Sequence, residues 1–274
     1  TRAELEELQA ELIAMPLQCG EETYVDDKTT PVEIFWQMLL DGVNIKTSLP
    51  SPDTFVQKFK AAKEAGDEVI CILIASKLSG TYQGAMLAKQ IVDYDGIHVI
   101  DAGHAAASVA EKMLVIAACR MRDQGCTAEE IARRLEQLRG SVRLIACLDT
   151  LEYLARGGRL PAAVASIGTK LQLKPIIVFG ENGEIQVVKK CMGSKRAMRD
   201  MTEMVTECRI NPEYPVIPIF AQNDRNCQEY VASLKNAGCV GAMQVPQGIG
   251  ATIGSYIGPG GYGIVFVEKR AVDC

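Results

Sequence analysis

The sequence predicts an α/β protein of two domains, and three observations lead to this prediction. Apolar β-branched runs such as 68–75 and 97–101 alternate with helical segments in the first half, which is typical of a parallel sheet covered on both faces. A hairpin signal lies at 174–190 in the second half. The 274 residues, 48% of them hydrophobic, are enough for two cores. We therefore predict a parallel-sheet α/β domain over 1–145 and an α+β domain with a mainly antiparallel sheet over 146–274.

The elements of the first half follow from caps and apolar periodicity. A charged amphipathic helix is predicted over 2–13, and a later helix begins at Ser51 or Asp53 and stops at Gly66. The pattern from Thr127 to Glu130 predicts a capped helix start. The further predictions are strand 68–75, helix 81–94, strand 97–101, helix 105–125, helix 128–139 and strand 142–149, the last of which closes this half.

The second half mixes hairpins with helices. Two strands flank the turn residues Glu181, Asn182 and Gly183, and further predictions are helix 194–208, strand 215–222, helix 225–237 and strands 241–246 and 262–269. The stretch 247–263 holds seven glycines. We expect it to be either a glycine-rich turn or a wall against a ligand. It precedes a strand and does not open a helix, which does not favour a dinucleotide fingerprint.

Composition narrows the class of function. The net charge of −5 does not favour nucleic-acid binding, and no apolar run approaches the length of a membrane span, so we expect no stable membrane insertion. The ten cysteines form no C-x-x-C pair, and no secretory signal pattern opens the chain, which predicts reduced thiols and a cytoplasmic protein. With only two histidines and no metal-binding motif, we expect neither a metal nor a cofactor.

A cluster of hydroxyl groups follows the predicted strand 68–75. Ligands of open parallel sheets bind beyond the carboxyl ends of strands, where Ser79 and Gly80 lie. One interpretation is a simple helix cap. Another is a nucleophilic Ser79 with His98 or His104 as its base, although the chain has no G-x-S-x-G elbow. A third is a binding site for a small anion.

Three further stretches carry candidate binding groups. Thr47 and Ser48 lie in "NIKTSLPSP", which is either a capped loop or a second set of hydroxyls facing the ligand of Ser79. Tyr256 would supply a phenolic hydroxyl from the glycine-rich stretch. Arg159 follows a predicted helix that ends at the glycine pair 157–158, where it is either a cation that stabilises the helix C-terminus or an exposed contact for a partner or an anionic group.

Five motifs in order resemble the DegV family of bacterial fatty-acid-binding proteins. They are "TSLPSP", "ASKLSGTYQ", "DTLEYLARGGRL", "LKPI" and "GPGGYGIVF". The resemblance spans about residues 24–267 and implies two domains that hold a long-chain fatty acid in an apolar tunnel. It also implies a carrier, not an enzyme, that presents the acid to a fatty acid kinase for acyl-phosphate formation.

Residue roles implied by the resemblance carry over by position. Thr47 and Ser79 would hold the carboxylate, with Ser48, Gly80 and Tyr256 beside them, and Arg159 would contact the kinase. We expect the tunnel lining to come from 161–173 and 248–257, with Ile249, Ile253, Ile257 and Gly258 as the wall. The family usually has a histidine where this chain has Tyr256, and it opens with a strand before the region where this sequence starts. The alternative function is a hydrolase or transferase that uses Ser79.

Overall fold

The computed structural model describes residues 1–160, 173–239 and 243–269. The first half contains α1 (Arg2–Glu7), β1 (Pro16–Cys19), β2 (Glu22–Val25), α2 (Val32–Leu40), β3 (Ile45–Thr47), α3 (Pro52–Ala65), β4 (Val69–Leu73), α4 (Thr81–Val92), β5 (Ile97–Asp101), a 3₁₀ turn (Gly103–Ala105), α5 (Ser108–Asp123), α6 (Ala128–Leu138) and β6 (Val142–Cys147). The second half contains α7 (Glu152–Arg156), β7 (Leu173–Phe179), β8 (Ile185–Met192), α8 (Ser194–Thr206), β9 (Ile217–Phe220), α9 (Arg225–Asn236), β10 (Gln247–Gly248), α10 (Ala251–Ile257) and β11 (Tyr262–Val267).

Three sheets organise these elements. The order β2-β1-β3 forms a small antiparallel sheet, and β4 and β5 form a parallel pair. The third sheet has the order β10-β9-β11-β6-β7-β8, in which only the β10–β9 pair is parallel. The α/β fold class with a parallel sheet and a mainly antiparallel sheet is therefore confirmed.

The core lies on both faces of the six-stranded sheet. Along β11, Val265 and Val267 belong to the cluster shared with α5 and α6, whereas Ile264 and Phe266 belong to the cluster shared with α8 and α9. This alternation is the two-residue period of a strand buried on both sides. Because the first cluster contains residues from both halves of the chain, the site loops of the two halves are held close together.

The prediction that strand 142–149 belongs to the parallel sheet is wrong. β6 lies inside the six-stranded sheet, antiparallel to β11 and β7, and does not join the parallel pair of the first half. All six residues of β6 are buried or partly buried, and such a run fits a central strand of either sheet type. The predicted domain division between 145 and 146 falls within this strand, and it stays a prediction.

Several predicted helix starts and stops are confirmed. Ser51 caps α3, Gly66 ends it with a φ of 75°, and Thr127 forms a capping box with Glu130 at α6. The helix predicted over 2–13 is shorter than expected, because it ends at Glu7 and Gln9 adopts a φ of 48°. The strand predicted over 241–246 lies partly outside the described residues.

The glycine-rich stretch contains a helix, contrary to our expectation. α10 begins after Gly250, and the Asp26 carboxylate accepts hydrogen bonds from the Thr252 N–H and hydroxyl at 3.0 and 2.6 Å. This cap comes from 226 residues away in the sequence, so no local pattern reveals it.

Two further observations concern the cysteines and the lengths of the helices. Every cysteine except Cys274 lies among the described residues, and these nine are free thiols. Among the residues that the structure describes, no helix combines the length and the apolar character needed to cross a membrane.

Candidate functional site

The loop between β4 and α4 is closed by its own backbone. The N–H groups of Leu78 and Ser79 both donate to the Ala75 carbonyl, at 2.9 and 3.2 Å. This turn directs the Ser79 hydroxyl inward, where it lies 2.8 Å from the Thr81 hydroxyl. Both side chains are almost fully buried, so the loop presents a protected pair of neutral hydrogen-bonding groups.

Ser79 is a weak helix cap and has no base beside it. The Thr81 N–H reaches the Ser79 hydroxyl only at 3.4 Å, and Gly80 occupies the N-cap position of α4. Neither of the two histidines is a hydrogen-bond partner of Ser79 in the described part of the chain. His104 lies in the 3₁₀ turn, where burial lowers its pKa, and His98 lies on β5 at a different cleft. These contacts do not support a nucleophilic serine.

Thr47 and Tyr256 form the second hydroxyl pair. The Thr47 hydroxyl at the end of β3 lies 2.5 Å from the Tyr256 hydroxyl on α10, and the pair is partly buried. Gly157 allows the Tyr256 ring to approach, because a Cβ at this position would overlap the ring. The structure thus brings the hydroxyl groups of two predicted site residues, Thr47 and Tyr256, into direct contact.

Arg159 links the two hydroxyl pairs. Its Nε donates to the Leu78 carbonyl at 3.1 Å, next to Ser79, and its guanidinium carbon lies 5.3 Å from the centre of the Tyr256 ring. Its Nη1 donates to the Gly157 carbonyl at 2.8 Å. A cation held over an aromatic face is stabilised by the ring electrons. The arrangement places one positive charge against the Ser79 loop and the Tyr256 ring.

A cleft of about 500 Å³ opens at this place. It is lined by Ser76, Lys77, Leu78, Ser79, Gly80, Gly158, Arg159, Leu160, Glu184 and Ile185. Ser76 is fixed because its N–H and that of Gly103 donate to the Asp101 carboxylate at 3.1 and 2.9 Å, which ties the loops after β4 and β5 together. The cleft is thus a mouth of mixed polar and apolar lining, in which Lys77 and Arg159 can attract an anionic head group.

The other predicted residues divide into two groups. Gly80 lines the cleft, and a Cβ on it would approach Leu49 at 3.2 Å, so the loop after β3 lies against it. Ser48 is exposed, and its N–H donates to the Pro16 carbonyl at 3.0 Å.

The predicted tunnel wall does not line the cleft. Ile249 is buried in the largest core cluster, and Ile253 and Ile257 pack against that cluster. Gly258 ends α10 with a φ of 71°, where a Cβ would overlap the Tyr153 ring. The part of the predicted lining at 161–172 lies outside the described residues.

Asp26 was missed by the sequence analysis. Burial raises the pKa of its carboxyl, but the charge of Lys28, 2.5 Å away, and the hydrogen bonds from Thr252 outweigh burial and lower the pKa. The carboxylate therefore stays ionised and anchors the start of α10, the helix that carries Tyr256. Within the described residues, no group of three or more acidic, histidine or cysteine side chains could hold a metal ion.

Sequence and structure comparisons identify the family. The family model described as "Uncharacterised protein, DegV family" matches residues 1–269. A DegV domain-containing protein of Caldanaerobacter subterraneus is 32% identical over 263 residues, covering 94% of this chain and 91% of the relative. The fold and site define an α/β protein of three sheets with a cleft beside two hydroxyl pairs, and this chain belongs to the DegV family.

Two further relatives are named for fatty-acid binding. The Fatty acid-binding protein of Thermotoga maritima is 29% identical over 255 residues, covering 89% of this chain and 86% of that protein. The solved structure of a DegV family protein from Thermus thermophilus, described by its fatty acid binding, has a TM-score of 0.86 and 26% identity, and covers 98% of this chain and 95% of that chain. Each alignment therefore covers most of the length of the relative.

Proposed function

We propose that this protein binds a long-chain fatty acid and holds its carboxylate with the hydroxyl groups of Thr47 and Ser79. The observation that carries the proposal is the position of Arg159, which contacts both the Ser79 loop and the Tyr256 ring while Tyr256 contacts Thr47. A carboxylate that enters between the Ser79 loop and the Thr47–Tyr256 pair would accept hydrogen bonds from these hydroxyls beside the Arg159 cation.

The acyl tail supplies most of the affinity in this proposal. Burial of a methylene is worth about 0.8 kcal/mol, so a sixteen-carbon acid offers roughly 11 kcal/mol before the losses of immobilisation. Each hydrogen bond to the carboxylate adds about 1.5–3 kcal/mol. The tail therefore sets the affinity, and the hydroxyl groups set the position of the head.

α10 gives a direction for the tail. Tyr256 lies at the head-group end, while Ile253 and Ile257 on the same helix pack against the largest core and are only partly buried. We propose that the tail runs along these two isoleucines, so that one helix contacts both ends of the ligand.

Titration of palmitate into the protein tests the head-group assignment. Thr47→Ala and Ser79→Ala should each weaken binding by about 1.5–3 kcal/mol, or roughly ten- to a hundredfold, because each removes a hydrogen bond to a charged group. Ser51→Ala is the matched control, since its hydroxyl caps α3 and should affect stability but not binding. Unchanged affinity in both site variants would remove them from the site.

We also propose that the protein is a carrier that presents the carboxylate to a fatty acid kinase. The hydroxyl groups of Thr47 and Ser79 are neutral, so they hold the carboxylate without forming a salt bridge to it. Arg159 is exposed at the mouth of the cleft, where a partner can reach it. The protein would then supply position and burial, while the kinase supplies the phosphoryl group.

Arg159→Glu separates the carrier role from simple binding. Acyl-phosphate formation by the kinase with ATP should fall more than fatty-acid affinity does, because the charge reversal lies on the exposed side of the site. Arg156→Glu is the control on the same helix end, where the arginine pairs with Glu152 at 2.7 Å. Equal loss of affinity and of acyl phosphate in Arg159→Glu would contradict a partner contact.

A further inference from the structure

The mouth of the candidate site carries two cations that no described residue neutralises. Lys77 and Arg159 both line the cleft and both are exposed, and neither forms an ion pair with the part of the chain that the structure describes. Arg159 donates to backbone carbonyl groups through Nε and Nη1, which leaves its Nη2 without a partner among the described residues. The Lys77 ammonium group donates no hydrogen bond to a described residue either. The mouth therefore offers free N–H donors from two positively charged side chains.

Glu184 is the single acidic residue in the lining of the cleft, and its own hairpin occupies it. Its carboxylate accepts hydrogen bonds from the Asn182 N–H at 3.3 Å and from the Gln186 side chain at 3.0 Å. No ion pair joins it to either cation of the mouth. The lining thus holds two cations against one anion, and its net charge is positive.

The two cations lie on the solvent side of the hydroxyl groups. Ser79 is buried, whereas Lys77, two residues earlier in the same turn, is exposed, as is Arg159. Gly80 is the N-cap of α4 and lines the cleft, and the Gly84 N–H donates to its carbonyl. The N–H groups of the first turn of α4 precede this bond, so they too favour an anion at the mouth. A bound head group would therefore have neutral hydroxyls on its inner side and positive charges on its outer side.

The reaction in the proposed function raises the negative charge of the head group. A carboxylate oxygen forms a bond to the γ-phosphorus of ATP, the bond from that phosphorus to its bridging oxygen breaks, and ADP leaves with the electron pair. No proton is gained or lost when all of these groups are fully ionised. The transferred phosphoryl group carries a charge of about −1.5 to −2 near neutral pH and has three strong acceptor oxygens. The product is therefore more negative than the acid, and its charge lies further from the acyl chain.

We propose that Lys77 and Arg159 form a phosphoryl subsite that retains the acyl phosphate product. The carbonyl group of the product stays beside the Ser79 hydroxyl, and the phosphoryl oxygens accept hydrogen bonds from the Lys77 ammonium group and from Nη2 of Arg159. Charge-assisted hydrogen bonds of this kind are stronger than bonds between neutral groups. The inference rests on the proposed fatty-acid function, and it adds a preference for the product over the substrate.

Titration with hexadecyl phosphate tests the subsite without the kinase, so that a contact to the product is separated from a contact to the partner. This compound has the chain length of palmitoyl phosphate, with a methylene in place of the carbonyl group. At low ionic strength and a pH that ionises both ligands, lipid-free full-length protein should bind it at least as tightly as palmitate. Lys77→Gln should weaken hexadecyl phosphate binding by about tenfold or more and palmitate binding by less than about threefold, because the lost charge faces the phosphoryl group.

Lys77→Arg and Lys60→Gln are the controls. The arginine keeps the positive charge and should restore the preference for hexadecyl phosphate. Lys60 lies on the exposed face of α3, outside the lining, so its replacement should leave both affinities at the wild-type value. An equal loss of both ligands in Lys77→Gln would overturn the phosphoryl subsite and leave the fatty-acid function in place. Wild-type protein that binds neither ligand would instead contradict the fatty-acid function, and the subsite with it.

Discussion

Two hydroxyl pairs meet at the candidate site, and they are held in opposite ways. Ser79 and Thr81 are two residues apart, in a turn closed by backbone bonds to Ala75. Thr47 and Tyr256 are 209 residues apart and meet only because α10 packs against the rest of the protein. The first pair is a property of one loop, and the second is a property of the whole fold.

This difference determines which pair is vulnerable to distant changes. α10 is fixed by the Asp26 cap, by the Trp36 ring against Gly254 and by the Tyr153 ring against Gly258. A change at any of these contacts should disturb Tyr256 and leave the Ser79 loop intact. The following substitutions test that separation, from the largest expected effect to the smallest.

Gly157→Ala should have the largest effect. The added Cβ would overlap the Tyr256 ring, so the ring must move and its hydrogen bond to Thr47 must break. Such overpacking costs about 1–3 kcal/mol of unfolding free energy. Chemical denaturation measures the cost, and palmitate titration should show weaker binding.

Gly125→Ala is the control for loss of a glycine. Its φ of 80° makes alanine strained, at about 1 kcal/mol, but no atom lies within 4 Å of the added Cβ. The variant should lose stability without losing affinity. Full palmitate affinity in Gly157→Ala as well would show that the Tyr256 contact does not matter for binding.

Asp26→Asn should have an intermediate effect. It weakens the cap of α10 and leaves Lys28 without its 2.5 Å partner, at a cost of about 0.5–2 kcal/mol at neutral pH. Because the pKa of Asp26 is lowered in the folded protein, this stability is present above the unfolded pKa and is lost as pH falls through the folded pKa. The difference between wild type and variant should therefore shrink in acid.

Asp27→Asn is the matched local control. Asp27 also accepts from a threonine N–H and hydroxyl, at 2.9 and 2.5 Å, but this threonine is Thr29, two residues away. Both variants should lower stability in denaturation curves at neutral pH, whereas only Asp26→Asn should lower palmitate affinity. A constant stability difference for Asp26→Asn between neutral and strongly acidic pH would contradict the anchoring role.

Gly84→Ala should have the smallest effect, and of the opposite sign. The position lies inside α4, and the added Cβ meets only a Pro52 carbon at 3.9 Å, an ordinary contact distance. Alanine should raise the unfolding free energy by about 0.5–1 kcal/mol and leave palmitate affinity unchanged. Lower affinity would show that the Ser79 loop is sensitive to its own helix.

The sequence predicted the local parts of the fold better than the pairing of its strands. The Ser51 cap, the Gly66 stop and the Thr127 capping box depend on neighbouring residues, and they were predicted correctly. The sequence analysis placed β6 in the wrong sheet, because a strand buried on both faces has the same apolar sequence pattern in a parallel and in an antiparallel sheet.

The site shows the same division. Motif resemblance singled out Thr47, Ser79 and Tyr256, and the structure brings two of them into contact. The motif resemblance did not reveal that Arg159, which is exposed, also lies beside Ser79 and Tyr256. Asp26 was missed because a carboxylate in "VDDK" carries no signal for its partner Thr252, which lies 226 residues later.

Native mass spectrometry of freshly purified protein, followed by lipid extraction, tests the central proposal most directly. We expect a mass increment equal to one long-chain fatty acid, with the same acid recovered by extraction. Ser79→Ala combined with Thr47→Ala should carry less of it than wild type does. Protein that carries no lipid and does not bind palmitate on titration would contradict the proposed fatty-acid function.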